Sequence, residues 1–192
     1  MARATKTSKD SRIVIAIEHL IPPPGTVISP YPAWRDRVYR GALWTLALAF
    51  LLLAGAILGH SGVLAEASVA VGAVSDLAAA LTFLVWVARW RWLVQGFAFV
   101  ALLGWVFGVA FFLWGGMLAA SAIMAYKEYH CFHFWTGRFL PWVSVASFLA
   151  WLFGKSIPMA LLCLALAGGW MALLWERSKL PLFQVDGVRK ES

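Results

Sequence analysis

Two of the four histidines and a neighbouring charged pair follow the longest apolar run of the chain. Residues 126–133 read Tyr-Lys-Glu-Tyr-His-Cys-Phe-His, and no charged residue occurs between Leu93 and Tyr126. On a helix, the spacing of Tyr126, Tyr129, His130 and His133 places all four on one face, because residues three or four apart are neighbours. This segment is therefore the first place to look for chemistry.

Three kinds of chemistry would suit these residues. His130 and His133, helped by Glu128 or Cys131, could bind zinc, copper or iron. One imidazole could instead be the axial ligand of haem or of a chlorophyll-type magnesium. In the third hypothesis, Glu128 and a histidine form a proton relay.

The plainer interpretation is an interfacial belt, in which Tyr, His and Trp135 contact lipid headgroups and the Lys127 ammonium snorkels to water. We favour the belt, because His-x-x-His with one cysteine has no second ligand pair at a suitable spacing. If a cofactor is bound, a tetrapyrrole or quinone is favoured over a metal, and we predict no metal site and no catalytic residues.

The composition indicates that most of the chain is surrounded by lipid. Of its 192 residues, 62% are hydrophobic, 15% aromatic and only 13% charged, whereas soluble domains average about 25% charged residues. At about 20 residues per span, the length allows roughly five or six spans and no separate soluble domain. The net charge of +7 comes from residues at the edges of apolar runs, which argues against nucleic-acid binding.

The sequence lacks the motifs of several other classes of protein. No phosphate-binding loop, nucleophile elbow or metalloprotease motif occurs, and these absences argue against a hydrolase. Cys131 and Cys163 form no recognisable disulfide framework. The polar N-terminus has no apolar region or cleavage site of a signal peptide.

The first forty residues are predicted to form a cytoplasmic segment. Residues 1–12 should stay solvated, residues 13–20 could form a short amphipathic helix, and Pro22-Pro23-Pro24-Gly25 should end it. Trp34, Arg35, Arg37, Tyr39 and Arg40 resemble an interfacial anchor before a first span over Gly41–Gly59. The helical membrane domain is predicted over 41–176, followed by a cytoplasmic tail over 177–192.

Asp76 has two possible placements. In the favoured one, Ser75 or Asp76 caps a second span over Leu77–Trp92, since carboxylates stabilise helix N-termini. In the other, the span starts near Ser68 and Asp76 lies about 12 Å below the surface. A carboxylate buried in this way would be a functional candidate.

The run from Leu93 to Tyr126 is too long for one upright helix, at about 51 Å against a bilayer core of roughly 30 Å. A turn at Trp114-Gly115-Gly116 gives six spans and places fifteen of the sixteen Lys and Arg residues on the side of the N-terminus, with Lys155 opposite. One tilted helix gives five. The positive-inside rule favours six, with both termini cytoplasmic. The later spans are predicted over Met117–Phe134, Phe139–Phe153 and Ile157–Trp175, with a tight turn at 154–158.

Small and aromatic residues point to close packing. Gly104, Gly108, Gly168 and Gly169 allow neighbouring helices to approach. The twelve tryptophans include Trp105, Trp114, Trp142 and Trp151. They are interpreted mainly as belt residues, although they could also face a pigment, quinone or partner subunit.

Three segments together resemble a family of uncharacterised integral membrane proteins found chiefly in cyanobacteria. They are 36–41 (Asp-Arg-Val-Tyr-Arg-Gly), 126–132 and 181–187 (Pro-Leu-Phe-Gln-Val-Asp-Gly). The specific part is Lys-Glu-x-x-Cys, matched by Lys127, Glu128 and Cys131, whereas His130 and His133 do not belong to the family pattern. The resemblance implies a multi-pass protein without an assigned activity, and it moves the expected site to Lys127, Glu128 and Cys131.

We therefore predict an all-α, polytopic transmembrane helix bundle in a bacterial cytoplasmic or photosynthetic membrane. The expected role is a non-catalytic accessory or assembly subunit of a larger membrane complex, able to hold an apolar cofactor such as a pigment, haem or quinone. The alternative is a small transporter or membrane redox enzyme that uses Asp76, Glu128, His130 and His133. The expected partners are the lipid bilayer and other membrane subunits.

Overall fold

The computed structural model describes residues 31–85 and 87–183, and these residues form six α-helices. In chain order they are α1 (Ala33–Leu58), α2 (Gly62–Thr82), α3 (Ala88–Val106), α4 (Ala110–Phe132), α5 (Trp135–Leu152) and α6 (Ser156–Ser178). The predicted all-α class is confirmed for this part of the chain. The predictions for residues 1–30 and for the tail beyond Phe183 lie outside the described residues.

Connections of two to five residues join consecutive helices, so neighbours in the chain pack side by side in opposite directions. Each helix contacts the next, α6 returns to contact α1, and α2 also touches α4. The bundle is thus a closed ring. At one end of the bundle, α1, α3 and α5 begin and α2, α4 and α6 end. We call this the network end, and we call the other end the opposite end.

Four of the described helices, α1, α2, α4 and α6, are long and apolar enough to cross a membrane. They contain 26, 21, 23 and 23 residues, with mean hydropathies between 1.3 and 2.2. Many large apolar side chains on the outside of the bundle are exposed, including Leu52, Phe99 and Val145. These features indicate a multi-pass membrane protein.

The long apolar run folds as two helices, but the turn is not where we expected it. It lies at Phe107-Gly108-Val109, where Gly108 has a φ of +69°. Trp114-Gly115-Gly116 instead lies within α4, so that prediction is wrong. The physical reason is packing: a Cβ on Gly116 would lie 2.5 Å from the carbonyl oxygen of Phe97, so this glycine lets α3 and α4 touch.

The favoured placement of Asp76 is also wrong. The second predicted span began at Leu77, whereas α2 already starts at Gly62, where the Ser61 hydroxyl accepts a 3.4 Å hydrogen bond from the Leu64 N–H. Because this serine supplies the cap, the helix passes through Ser75 and Asp76 without a break. Asp76 is fully buried in the helix interior, as in the second placement.

Side chains from outside α2 set its end at Thr82, ten residues before the predicted end at Trp92. The Tyr31 hydroxyl donates to the Thr82 carbonyl at 2.8 Å, and Arg35 donates to the Leu81 carbonyl at 2.8 Å. These bonds satisfy carbonyls that the last helical turn leaves unpaired. Burial raises the pKa of the Tyr31 phenol, so the neutral hydroxyl that donates this bond persists to higher pH than in a free tyrosine.

The predicted spans over Gly41–Gly59 and Phe139–Phe153 end at two other turns. Gly59-His60-Ser61 separates α1 from α2, and Phe153-Gly154-Lys155 separates α5 from α6, with Gly154 at a φ of +63°. The first helix begins at Ala33 instead of Gly41, so the predicted interfacial anchor forms its first two turns. Of the four glycines expected to pack, Gly104 and Gly169 are in close contact with neighbouring helices. Gly108 serves the turn, and a Cβ on Gly168 would meet nothing within 4 Å, so the prediction is wrong for these two.

Candidate functional site

A buried ion network occupies the network end of the bundle, with Arg177 of α6 at its centre. One guanidinium nitrogen donates to Asp36 Oδ1 of α1 at 2.7 Å, and another donates to Glu128 Oε2 of α4. All three side chains are at most 1% exposed. One arginine therefore joins three helices that are far apart in the chain.

Two further cations complete the pairing. Arg40 Nε lies 2.8 Å from Asp36 Oδ2, and Lys127 Nζ lies 3.0 Å from Glu128 Oε1. The Tyr39 hydroxyl donates to the same Glu128 oxygen at 3.0 Å. Three cations thus face two carboxylates, which gives these five ionised groups a formal charge of +1.

Aromatic rings enclose these charges. The Arg177 guanidinium lies 4.9 Å from the ring centre of Tyr39 and 5.3 Å from those of Phe132 and Phe183. Lys127 Nζ is 5.1 Å from the Phe132 ring, which also stacks on Phe183 at 5.2 Å. Cations over ring faces are attracted by the π electrons, and the attraction is stronger where water is excluded.

The segment after α6 is tied into the same network. Arg40 donates to the carbonyls of Arg177 and Leu180 at 3.1 Å and to that of Pro181 at 2.7 Å. The Phe183 N–H in turn donates to Asp36 Oδ2 at 3.3 Å. Because arginine carries five donors in a planar fork, Arg40 can cap α6 and pair with Asp36 together.

Helix dipoles explain part of this arrangement. Asp36 lies in the first turn of α1, where the positive helix end stabilises a carboxylate. Glu128 lies close to the end of α4, where the dipole is unfavourable for it. The adjacent Lys127 and the facing Arg177 compensate, so the acid at this position depends on its cations.

A cavity of about 660 Å³ lies beside the network. The connection from α2 to α3 and the first turn of α3 supply mainly apolar walls, including Phe83, Val85 and Trp90. α4 supplies Lys127, His130 and Cys131. Lys127 thus belongs both to the ion network and to the cavity wall.

The predicted site residues fall into three places. Lys127 and Glu128 are in the network, while His130 and Cys131 line the cavity with Lys127. His133 lies beyond the end of α4, at a φ of +53°, and its ring meets Tyr129 edge-on. Asp76 lies apart from both, about 9 Å from the end of α2 at 1.5 Å per residue.

Sequence reasoning missed Asp36 and Arg177, which hold the network together. Asp36 belonged to a segment that carried the resemblance, and Arg177 was assigned to the start of the cytoplasmic tail, whereas it lies in the last turn of α6. The available signal was that the three segments behind the resemblance each supply a member: Asp36, Glu128 and Phe183. Within the described residues, no group of three His, Cys, Asp or Glu side chains could hold a metal ion.

Comparisons of this chain with protein-family models, with curated proteins and with solved structures found no match.

Proposed function

We propose that this protein is a non-catalytic accessory subunit of a membrane complex. It binds a largely apolar cofactor with a polar group at one end, in the cavity beside Lys127. The observation that carries the proposal is the combination of a large apolar cavity with a few polar groups on one wall. Sites for small molecules are typically mostly apolar, with a few polar groups that fix orientation. The Lys127 ammonium would orient a carbonyl or carboxylate group of the cofactor, while the rings of Phe83 and Trp90 contact its apolar body.

The ion network supports this role because it makes the wall rigid. Lys127 has three donor hydrogens, and its bond to Glu128 fixes the ammonium beside the cavity. Glu128 is in turn fixed by Arg177 and Tyr39. A quinone, or a pigment with carbonyl substituents, matches this chemistry, and His130 on the same wall would be the axial ligand if the cofactor is a tetrapyrrole.

We expect the purified protein to carry an extractable apolar molecule, and Ala122→Trp to remove it. Ala122 lines the cavity and is half-buried, so an indole at this position fills space that the molecule would occupy. The measurement is an absorption spectrum of the detergent-purified protein, followed by solvent extraction and mass spectrometry. Occupancy should fall at least tenfold in the variant.

The matched control is Ala172→Trp, which places the same side chain at an exposed position of α6. Its occupancy should equal that of the wild type. The proposal is overturned if the folded wild-type protein yields no apolar molecule beyond detergent and bulk lipid. It is also overturned if Ala122→Trp retains full occupancy.

We also propose that all six described helices cross the membrane, with the network end facing the cytoplasm. At 1.5 Å per residue, α3 and α5 are about 28 and 27 Å long, close to a bilayer core of roughly 30 Å. Each lies between two of the longer apolar helices in the ring. Among the described Lys and Arg residues, Lys155 alone lies at the opposite end, which supports this orientation.

Labelling of single cysteines tests this topology. In a Cys131→Ser, Cys163→Ala background, a membrane-impermeant maleimide added to intact cells should label cysteines at Gly108 and Lys155. It should label cysteines at Arg89 and Lys179 only after the cells are opened. Labelling of Arg89 and Gly108 positions from the same side would contradict a membrane-crossing α3.

Membership of the family known chiefly from cyanobacteria is likewise a proposal, and so is a location in a bacterial cytoplasmic or photosynthetic membrane. Support comes from the contacts among the three segments that carry the resemblance. Asp36, Glu128 and Phe183 are joined through Arg177 or directly. The three segments therefore meet in one structural unit.

A further inference from the structure

Asp76 is a fully buried acid that the ion network does not use. It lies within α2, its exposed fraction is 0%, and neither carboxylate oxygen has a hydrogen-bond partner in the described part of the chain. Asp36 and Glu128 are equally buried, but each is paired with a guanidinium group. Asp76 therefore differs from the other buried acids in having no compensating cation among the described residues.

One helical turn before Asp76, on the same face of α2, the neighbouring groups are apolar. A Cβ on Gly72, four residues earlier, would contact the Met117 sulfur at 3.1 Å, the Ala49 Cβ at 3.6 Å and a Leu46 methyl at 4.0 Å. Residues four apart lie on one helix face. One turn before Asp76, this face of α2 therefore packs against hydrocarbon and thioether groups from α1 and α4.

All charged residues on the helices packed against α2 lie at the network end of the bundle. Asp36 and Arg40 of α1 pair with each other, and Lys127 and Glu128 of α4 do the same. On α3, Arg89 is exposed and Arg91 is half-buried in its first turn, at the network end. No ion pair among the described residues includes Asp76.

An ionised carboxylate is very unfavourable in this setting. Transfer of an unpaired carboxylate into a low-dielectric interior costs several kcal/mol even after relaxation, whereas a neutral carboxylic acid loses much less solvation. Acids at membrane depth are accordingly rare and mark functional positions, proton relays among them. The burial of Asp76 is thus far easier to explain with a proton on its carboxyl group.

We propose that Asp76 is a membrane-embedded proton-binding site, a neutral carboxylic acid at neutral pH in the folded protein. This site is separate from the cavity beside Lys127 and goes beyond the binding of a cofactor there. It gives the bundle a group that can hold a proton in the interior of α2, six residues before that helix ends.

Infrared spectroscopy of the intact protein tests the proposal. The wild type in lipid at neutral pH should show the C=O stretching band of a protonated carboxyl group. Growth on carboxyl-¹³C aspartate should shift that band, and Asp76→Asn should remove it. Absence of a shifting band from the wild type overturns the proposal, and this result does not depend on the variant folding.

Reaction with dicyclohexylcarbodiimide gives a second measurement at residue level. This apolar reagent reaches groups within the membrane, and the protonated carboxyl adds to it: a new O–C bond forms, and the acid proton moves to nitrogen. The O-acylisourea then rearranges to a stable N-acylurea. We expect mass spectrometry to find the adduct on Asp76, and to find none on Glu128, which is held as a carboxylate by two cations.

Glu66→Gln is the matched control, because Glu66 is an exposed acid of the same helix, and it should leave the labelling of Asp76 unchanged. Labelling of Glu128 in place of Asp76 would overturn the proposal. Since neither measurement involves the cavity, failure of the cofactor proposal would leave both expectations intact.

Discussion

Replacement of Arg177 by methionine is expected to destabilise the protein by about 3–5 kcal/mol, the usual cost of removing one partner from a buried ion pair. Methionine fills a similar volume, but it leaves Asp36 without its α6 partner and Glu128 without its guanidinium. The loss should appear as a fall in the apparent melting temperature in detergent of roughly 10 °C, at about 2–4 °C per kcal/mol for a chain of this size. Fluorescence-detected unfolding measures it.

Lys179→Met is the matched control, because this exposed lysine lies two residues further along and forms no ion pair among the described residues. It should melt within about 1 °C of the wild type, as surface substitutions usually cost less than 0.5 kcal/mol. Neutralising the acids as well, with Asp36→Asn and Glu128→Gln in the Arg177→Met background, should recover part of the loss. A triple variant less stable than Arg177→Met would show that unpaired charge is not the cause.

Hydropathy predicted the class of this fold because lipid imposes a simple rule. Apolar stretches of about 20 residues are needed where backbone groups have no water to bind, and the four apolar helices follow that rule. The tight turn near Gly154 and the division of the long run were also predicted. The location of that division was wrong because Gly115 and Gly116 look the same in a turn and in a helix contact.

The ion network could not be predicted from the spacing of residues along the sequence. Asp36 and Arg177 are 141 residues apart, and Glu128 and Arg177 are 49 apart. A charged residue near a helix end looks the same in sequence whether it meets a lipid headgroup or a distant acid. Only the order of helices in the ring, with α6 beside α1, brings these residues together.

The end of α2 shows that helix caps supplied from far along the chain cannot be predicted from local sequence either. Ser61 is a local cap and could have been recognised from its type, since serine is favoured at helix N-termini. Tyr31 and Arg35 act on the other end of α2 from 46 or more residues away. No local pattern near Thr82 indicates that the helix ends there.

Gly116→Ala is expected to disrupt the contact between α3 and α4, although it adds only a methyl group. The new Cβ would lie 2.5 Å from the Phe97 carbonyl oxygen, 2.7 Å from the Ala101 nitrogen and 3.0 Å from the Ala101 Cα. All three are backbone atoms, so no side-chain rotation can relieve the overlap and the helices must separate. Overpacking usually costs about 1–3 kcal/mol, and we expect the upper part of that range, measured as a fall in apparent melting temperature.

Gly115→Ala provides a control at the adjacent residue of the same helix. Its Cβ would meet the Phe148 ring at 3.6 Å, an ordinary contact, and replacing glycine by alanine within a helix gains up to about 1 kcal/mol. The two substitutions are chemically identical, so we expect opposite signs: Gly115→Ala should raise the melting temperature, and Gly116→Ala should lower it. If both substitutions changed the melting temperature by the same amount, glycine would act at these positions through backbone flexibility. That result would contradict close packing of α3 on α4 at Gly116.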